Sequence, residues 1–144
     1  MTIPDSVTSI DDNAFQGCSA LQSVTIGHSV TTIGTYTFFQ CTSLQSVTIP
    51  DSVTTIGYSA FKQCSSLETV NIGNSVTSIE GEVFSSCSSL QSLAIPYSVT
   101  TIGGGAFSSS GITILNVASN NQLNLTAGEN QTVSGKAGIT IVFA

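Results

Sequence analysis

The chain has 144 residues, enough for one domain with a real core, and its 40% hydrophobic content excludes wholesale disorder. Only 2 basic residues stand against 8 acidic ones, a net charge of -6, so no basic patch exists to neutralise phosphates. Nucleic acid and anionic membrane are thereby excluded as partners, and a surface of uncharged Ser, Thr, Asn, Gln and Gly remains.

From the N-terminus onward the sequence repeats itself. Ile3, Ile26, Ile49, Ile72 and Ile95 follow one another at 23-residue intervals without insertion. On this period Val7, Val30, Val53, Val76 and Val99 form one column, Ile10, Ile33, Ile56, Ile79 and Ile102 the next, and Phe15, Phe38, Phe61, Phe84 and Phe107 a third. Leu21, Leu44, Leu67 and Leu90, then Val24, Val47, Val70 and Leu93, complete the apolar set. A single rung of this length cannot close a core, so the pattern predicts a solenoid of five stacked 23-residue rungs.

Within a rung, Ser46, Val47, Thr48 and Ile49 alternate polar and apolar, which predicts a short parallel strand. Pro4, Pro50 and Pro96 end that strand in odd rungs, since proline cannot donate to a ladder, and Gly27 and Gly73 stand there in even ones. The alternation gives a 46-residue superperiod, the mark of a duplicated two-rung unit. Farther round, Ala60, Phe61, Cys64 and Leu67 suit one short helical or 3₁₀ turn. In the fifth rung Ile112, Leu115 and Val117 take over the Leu, Val and Ile columns one residue short, and the repeat ends. The domain expectation is a solenoid over 1–117 and a β-stranded cap or assembly tail over 118–144. That tail reads as three short strands, around Gln122–Leu125, Gln131–Val133 and Gly138–Phe143, with a turn at Ala127-Gly128.

The unit IPDSVTTIGYSAFKQCSSLETV at residues 49–70 resembles the BspA-like, or Treponema-type, leucine-rich repeat, and the likeness extends over residues 3–117. The resemblance implies a gently curved right-handed solenoid, β-rich, with its parallel sheet on the concave face. It also implies a microbial surface protein, some relatives of which bind host matrix or plasma proteins such as fibronectin and fibrinogen. No binding motif transfers residue by residue.

Features that look like chemistry have plainer readings. Cys18, Cys41, Cys64 and Cys87 repeat with the rungs, so they lie along the axis at roughly 4.8 Å per rung, a ladder rather than a metal cage. Buried free thiols filling space between Phe and Leu are expected, with Ser110 standing for the fifth where the column opens to solvent. His28 shares its column with Asp5, Asp51, Asn74 and Tyr97, residues of an exposed turn, and lacks a nucleophile or acid partner. Asp11, Asp12, Glu80 and Glu82 read as solvated turn residues, too far apart in rungs to share one calcium. The Thr ladder from Thr8 to Thr100 suits stacked turns, and Asn71 and Ala94 interrupt the strand array that an ice-binding plane would need. No metal, cofactor or catalytic residue is expected. Asn124-Leu-Thr126 and Asn130-Gln-Thr132 are N-glycosylation sequons.

The ends of the repeat are the informative anomaly. Only Met1 and Thr2 precede the first rung, and no signal peptide is visible. Val7, Ile10, Phe15, Leu21 and Val24 are therefore expected to present an apolar cross-section with an unpaired strand edge. Either the tail caps its own fifth rung and the start is a boundary inside a longer protein, or the tail docks on the next molecule through Ile139, Ile141 and Phe143, making a filament. The function expected first is a non-catalytic, extracellular or surface-associated adhesion or protein-binding module. Its ligand surface is the concave sheet: Gln22, Ser23, Thr25, Gln45, Ser46, Thr48, Glu68, Thr69, Asn71, Gln91 and Ser92. The alternative is a structural protein that assembles head to tail with copies of itself.

Overall fold

A computed structural model describes residues 1–123 and 128–144. In chain order its strands are β1 (Thr2–Ile3), β2 (Ser9–Ile10), β3 (Ser23–Ile26), β4 (Thr32–Ile33), β5 (Ser46–Thr48), β6 (Thr55–Ile56), β7 (Thr69–Asn71), β8 (Ser78–Ile79), β9 (Ser92–Ile95), β10 (Thr101–Ile102), β11 (Ile114–Val117), β12 (Gly128–Val133) and β13 (Lys136–Phe143). The odd strands β1 to β7 pair in parallel as one sheet, and β9, β11 and β13 continue in parallel as another. Six such strands, β1 to β11, precede the tail at the repeat spacing, so the solenoid has six turns where five were expected; Ile114–Val117 supplies the sixth.

A second parallel sheet, β10-β8-β6-β4-β2, runs along another side of the first five rungs. Its strands hold two residues each, an exposed or half-buried Ser or Thr before a buried or half-buried Ile, too short for alternation to announce them. Each rung thus has three sides: a first-sheet strand, a second-sheet strand and a turn segment.

The turn segment is not helical, and no helix or 3₁₀ stretch occurs among the described residues. Two columns of residues adopt left-handed backbone in each of the first five rungs, which interrupts any helical run after a few residues. The first holds Asn13, Tyr36, Ser59, Glu82 and Gly105, the second Gly17, Gln40, Gln63, Ser86 and Ser109. Backbone donors there alternate between two uses. The amides of Tyr36, Phe38 and Gln40 reach the next rung at Tyr58, Ala60 and Lys62, whereas those of Phe39 and Cys41 close turns within their own rung on Tyr36 and Phe38. A helix would spend all of them internally; the stacked turn spends half on cohesion between rungs.

The predicted columns form the core. Phe15, Phe38, Phe61 and Phe84 stack nearly parallel with centroids 5.3, 5.2 and 5.8 Å apart, and all but Phe15 are fully buried. Cys41, Cys64 and Cys87 are buried as expected, but Cys18 is exposed, because no earlier rung in this chain covers it. The buried thiols are more than filler. Each donates its S–H to the carbonyl of the phenylalanine one rung back, Cys41 to Phe15, Cys64 to Phe38 and Cys87 to Phe61, at 3.1 to 3.2 Å. Ser110 is buried rather than open to solvent, and its shorter hydroxyl bonds Phe107 of its own rung.

The tail differs from the expected three strands. Gln122 and Leu123 lie outside any strand, residues 124–127 lie outside the described ones, and Gly128 begins β12. β12 and β13 form an antiparallel hairpin whose turn residues Ser134 and Gly135 both have positive φ, the geometry that two-residue hairpins favour. β13 adds to β11 in parallel register, Leu115 opposite Ile141 and Val117 opposite Phe143, as a further rung would. Side chains complete the end. Ser134 Oγ accepts from the Ala106 amide and donates to the Gly103 carbonyl, and Asn121 Nδ2 donates to the carbonyls of Pro96 and Val99. Backbone groups of the last rung that stacking would leave open are satisfied this way.

Candidate functional site

The pleat of the first sheet places Val24, Val47 and Val70 inward and sends their neighbours out, and β9 of the sheet that continues it does the same with Leu93. All eleven residues expected on the ligand surface are exposed: Gln22, Ser23, Thr25, Gln45, Ser46, Thr48, Glu68, Thr69, Asn71, Gln91 and Ser92. Register aligns Ser23, Ser46 and Thr69 in one row and Thr25, Thr48 and Asn71 in the next, with Asn71 Nδ2 donating to Thr48 Oγ1 at 3.3 Å. The Gln column enters in line, because the Gln45 amide bonds the Gln22 carbonyl and the Glu68 amide that of Gln45. An open groove of about 600 Å³ lies among Glu68, Thr69, Ser88, Ser89, Gln91 and Ser92. A smaller one, about 320 Å³, lies along Ser23, Thr25, Ser46, Thr48 and His28.

Toward the C-terminal rungs this face changes character. Asn116 of β11 stands between Ala94 and Val142, and Ile114 sits beside Ser92 and Thr140. Ile114 and Val142 are 40% and 42% exposed, so the polar face ends in aliphatic side chains that repeat arithmetic did not single out. The signal was available: Ile114 alternates with inward Leu115, and only its outward position marks it.

The scattered charged residues serve neighbouring rungs. Asp5 Oδ1 accepts the His28 amide at 2.6 Å, Asp51 Oδ1 the Asn74 amide at 2.8 Å, and Asp12 Oδ1 the Thr35 amide at 2.7 Å. Asp12, read as a solvated turn residue, and Asp5 and Asp51, read as residues of an exposed turn, bond the next rung's backbone across the stack. Among the described residues no three His, Cys, Asp or Glu side chains gather as a metal site.

One cluster joins residues from three rungs and was invisible in single columns. Tyr36 packs edge-on to Phe39 at 5.4 Å and to Tyr58 at 5.9 Å. Beside them Lys62 Nζ meets Glu82 Oε2 at 2.5 Å, and Ser59 donates to the same oxygen at 3.3 Å. Lys62 and Tyr58 both favour the ionised carboxylate and hold Glu82 below its ordinary range. Reciprocally the Glu82 carboxylate raises Lys62 and Tyr58, keeping the ammonium charged and the phenol neutral.

The expected assembly residues divide. Ile10 and Val24 are buried, while Val7, Phe15 and Leu21 are half-buried, so the first rung offers a recess of about 370 Å³ among Ile3, Pro4, Val7, Ile10 and Phe15 rather than a wholly bare cross-section. In the tail Ile139 and Ile141 are buried in this chain's own core, and Phe143 remains 37% exposed. Of the sequon residues, Asn124 lies outside the described residues and Asn130 falls within β12.

A family model for the BspA type leucine rich repeat region matches residues 8–130 in six copies. Among solved structures, the Treponema pallidum leucine-rich-repeat protein is 33% identical with a TM-score of 0.77, over 81% of this chain and 57% of that one. A leucine-rich cell surface protein from Faecalibacterium prausnitzii is 32% identical with a TM-score of 0.62, over 84% and 38%. The pneumococcal vaccine antigen PcpA is 27% identical with a TM-score of 0.77, over 83% and 30%. The chain therefore spans between about a third and somewhat over half of these proteins. No curated protein matches it. Six stacked turns, the recurrent Pro or Gly at the strand ends and the matched model together place this chain in the BspA-type leucine-rich-repeat family.

Proposed function

We propose that the chain is a non-catalytic protein-binding module of an extracellular or surface-associated protein, and that the exposed face of its first sheet holds the ligand. The observation that carries this reading is the face itself: rows of exposed Ser, Thr, Gln and Asn in line over β3, β5 and β7, with exposed Ile114 and Val142 on the neighbouring sheet of β9, β11 and β13. Such a face binds by area and shape, and aliphatic or aromatic anchors at one end supply most of the energy. Similarity to a cell surface protein and to a vaccine antigen supports the setting. A host matrix or plasma protein is the partner class proposed. Head-to-tail self-assembly draws no support from the tail, because Ile139 and Ile141 are taken up by the chain's own core.

The test is a pull-down of immobilised fibronectin, fibrinogen and collagen against the full chain and a variant carrying Ser46→Lys, Thr48→Lys and Thr69→Lys. Binding by the parent chain and its loss in the folded variant support the reading. Equal binding by both places the ligand elsewhere.

A further inference from the structure

We propose that the turn side carries a second, independent binding site, centred on Tyr58, that takes a neutral oligosaccharide. On a chain with 7% charged and 7% aromatic residues, three aromatic rings and an ion pair meet at one place on that side. They come from three successive rungs, Tyr36 and Phe39 from one, Tyr58 and Lys62 from the next and Glu82 from the third, so the stack assembles the cluster. Tyr36 and Glu82 occupy left-handed backbone, φ 54° and 57°, where Asn13 and Gly105 stand in the end rungs. Asparagine and glycine take that conformation with little strain, whereas bulky side chains do not, so the middle rungs place a phenol and a carboxylate there at a cost.

The surroundings select the ligand class. The ring of Tyr58 lies against Gly81: a Cβ there would fall 2.9 Å from its Cε2. One rung on, Gly104 has open space where a side chain would stand, so a bare backbone shelf continues beyond a tyrosine that is 41% exposed. A pyranose presents C–H groups on its faces and hydroxyls on its rim. The faces suit the aromatic ring and the glycine shelf. The rim meets the half-buried Glu82 and Lys62, whose polar atoms are already oriented by one another, and the fully buried Ser59 hydroxyl steadies the Glu82 carboxylate. Charge excludes the sulfated or phosphorylated alternative, because Lys62 is neutralised by Glu82 and the chain carries net charge -6. A protein anchor would want a rim of apolar contacts to exclude water, and bare glycine backbone does not supply one.

The test titrates the full chain with cellohexaose, xylohexaose, mannohexaose and chitohexaose, with a sulfated heparin oligosaccharide as the charged comparison. The readouts are isothermal calorimetry and tyrosine emission, which no tryptophan obscures. At least one neutral sugar is expected to bind with Kd of about 1 mM or tighter, and Tyr58→Ala to weaken it roughly tenfold or more. Gly104→Leu, whose side chain enters open space, should leave the fold and thermal midpoint intact while covering the shelf and abolishing binding. That variant decides the matter should Tyr58→Ala fail to fold. The triple lysine variant of the first sheet should bind sugar normally, so protein-ligand binding and sugar binding can fail separately. No binding by any neutral sugar at about 10 mM, preference for the sulfated one, or full binding by Gly104→Leu overturns the proposal.

Discussion

A Cβ added to Gly73 would lie 2.5 Å from the carbonyl oxygen of Pro50, one rung earlier in the same column. Gly27 stands in the same relation to Pro4, its added Cβ 2.7 Å from the proline carbonyl. Next to each pair an aspartate clasps the following rung, Asp51 on the Asn74 amide and Asp5 on the His28 amide. The 46-residue superperiod thus has a physical content: Pro-Asp of one rung closes on Gly of the next. Gly73→Ala is expected to cost about 1–3 kcal/mol, since backbone on both sides must shift. Gly104→Ala, facing open space, should cost far less. Urea unfolding midpoints of the two variants check this, and equal losses would mean that the close approach is not what requires glycine.

Phe61 sits between Phe38 and Phe84 in a stack with no exposed ring, whereas Phe15 stacks on one side only. Stability in a solenoid is a sum over rungs and the contacts between neighbours. Phe61→Ala, which breaks two contacts and leaves a cavity, is expected to cost about 3–5 kcal/mol and Phe15→Ala clearly less. Calorimetric unfolding of both resolves the difference. A Phe15→Ala loss as large as that of Phe61→Ala would show that the end rung is as tightly held as the middle.

The columns were legible because each rung buries the same positions, so Val53, Ile56, Phe61 and Leu67 announce themselves by repetition. What escaped lies where that signal is weak. Thr32 and Ile33 form a strand too short to alternate, and the turn after it has apolar spacing that suits a helix until Tyr36 and Gln40 adopt positive φ. Nothing in the identity of a tyrosine or glutamine announces that conformation; only Asn13 and Gly105 in the column of Tyr36, and Gly17 in that of Gln40, hint at it. The first-sheet face was legible from the pleat. The Tyr36, Tyr58 and Glu82 cluster was not, because Tyr36 and Glu82 stand in a column whose residue type changes at every rung, Tyr58 stands in another, and they meet only when rungs stack.

The left-handed columns make a prediction of opposite sign to most substitutions. Ser86 holds φ 60° with no glycine's freedom, on a half-buried site. Ser86→Gly removes the clash between Cβ and backbone, a relief of about 1 kcal/mol that the greater entropy of an unfolded glycine partly offsets. A net gain of a few tenths of a kcal/mol to about 1 kcal/mol is expected. The reverse change, Gly17→Ala at φ 72°, should destabilise by a similar amount even though its added Cβ meets nothing within 4 Å. A pair of chemical denaturation curves tests both signs, and a stabilised Gly17→Ala would contradict the role assigned to this column.

The cysteine ladder predicts how stability responds to alkali. Burial opposes the thiolate and pushes Cys41 up to about 11 and Cys87 up to about 12, with the Cys18 thiol adding to the effect at Cys41; Cys64 is raised as well, by burial first and then by its two neighbours. In the unfolded chain these thiols ionise at roughly 8.5. Below that pH both states hold their protons and the thiols impose no slope. Above it the unfolded chain releases protons that the folded chain keeps, so stability falls as pH rises, by up to about 1.4 kcal/mol per pH unit for each thiol, until the folded groups ionise in turn. The unfolding midpoint should therefore hold steady to about pH 8 and drop beyond it. Cys64→Ala should flatten that drop, whatever it costs at neutral pH through loss of its bond to the Phe38 carbonyl. A thiol reagent at pH 8 should label Cys18 quickly and the other three only as fast as the chain opens, because Cys18 alone of the four is exposed. Rapid labelling of more than one thiol, or an alkaline slope unchanged by Cys64→Ala, would mean that the ladder is not sealed by the stacked rungs.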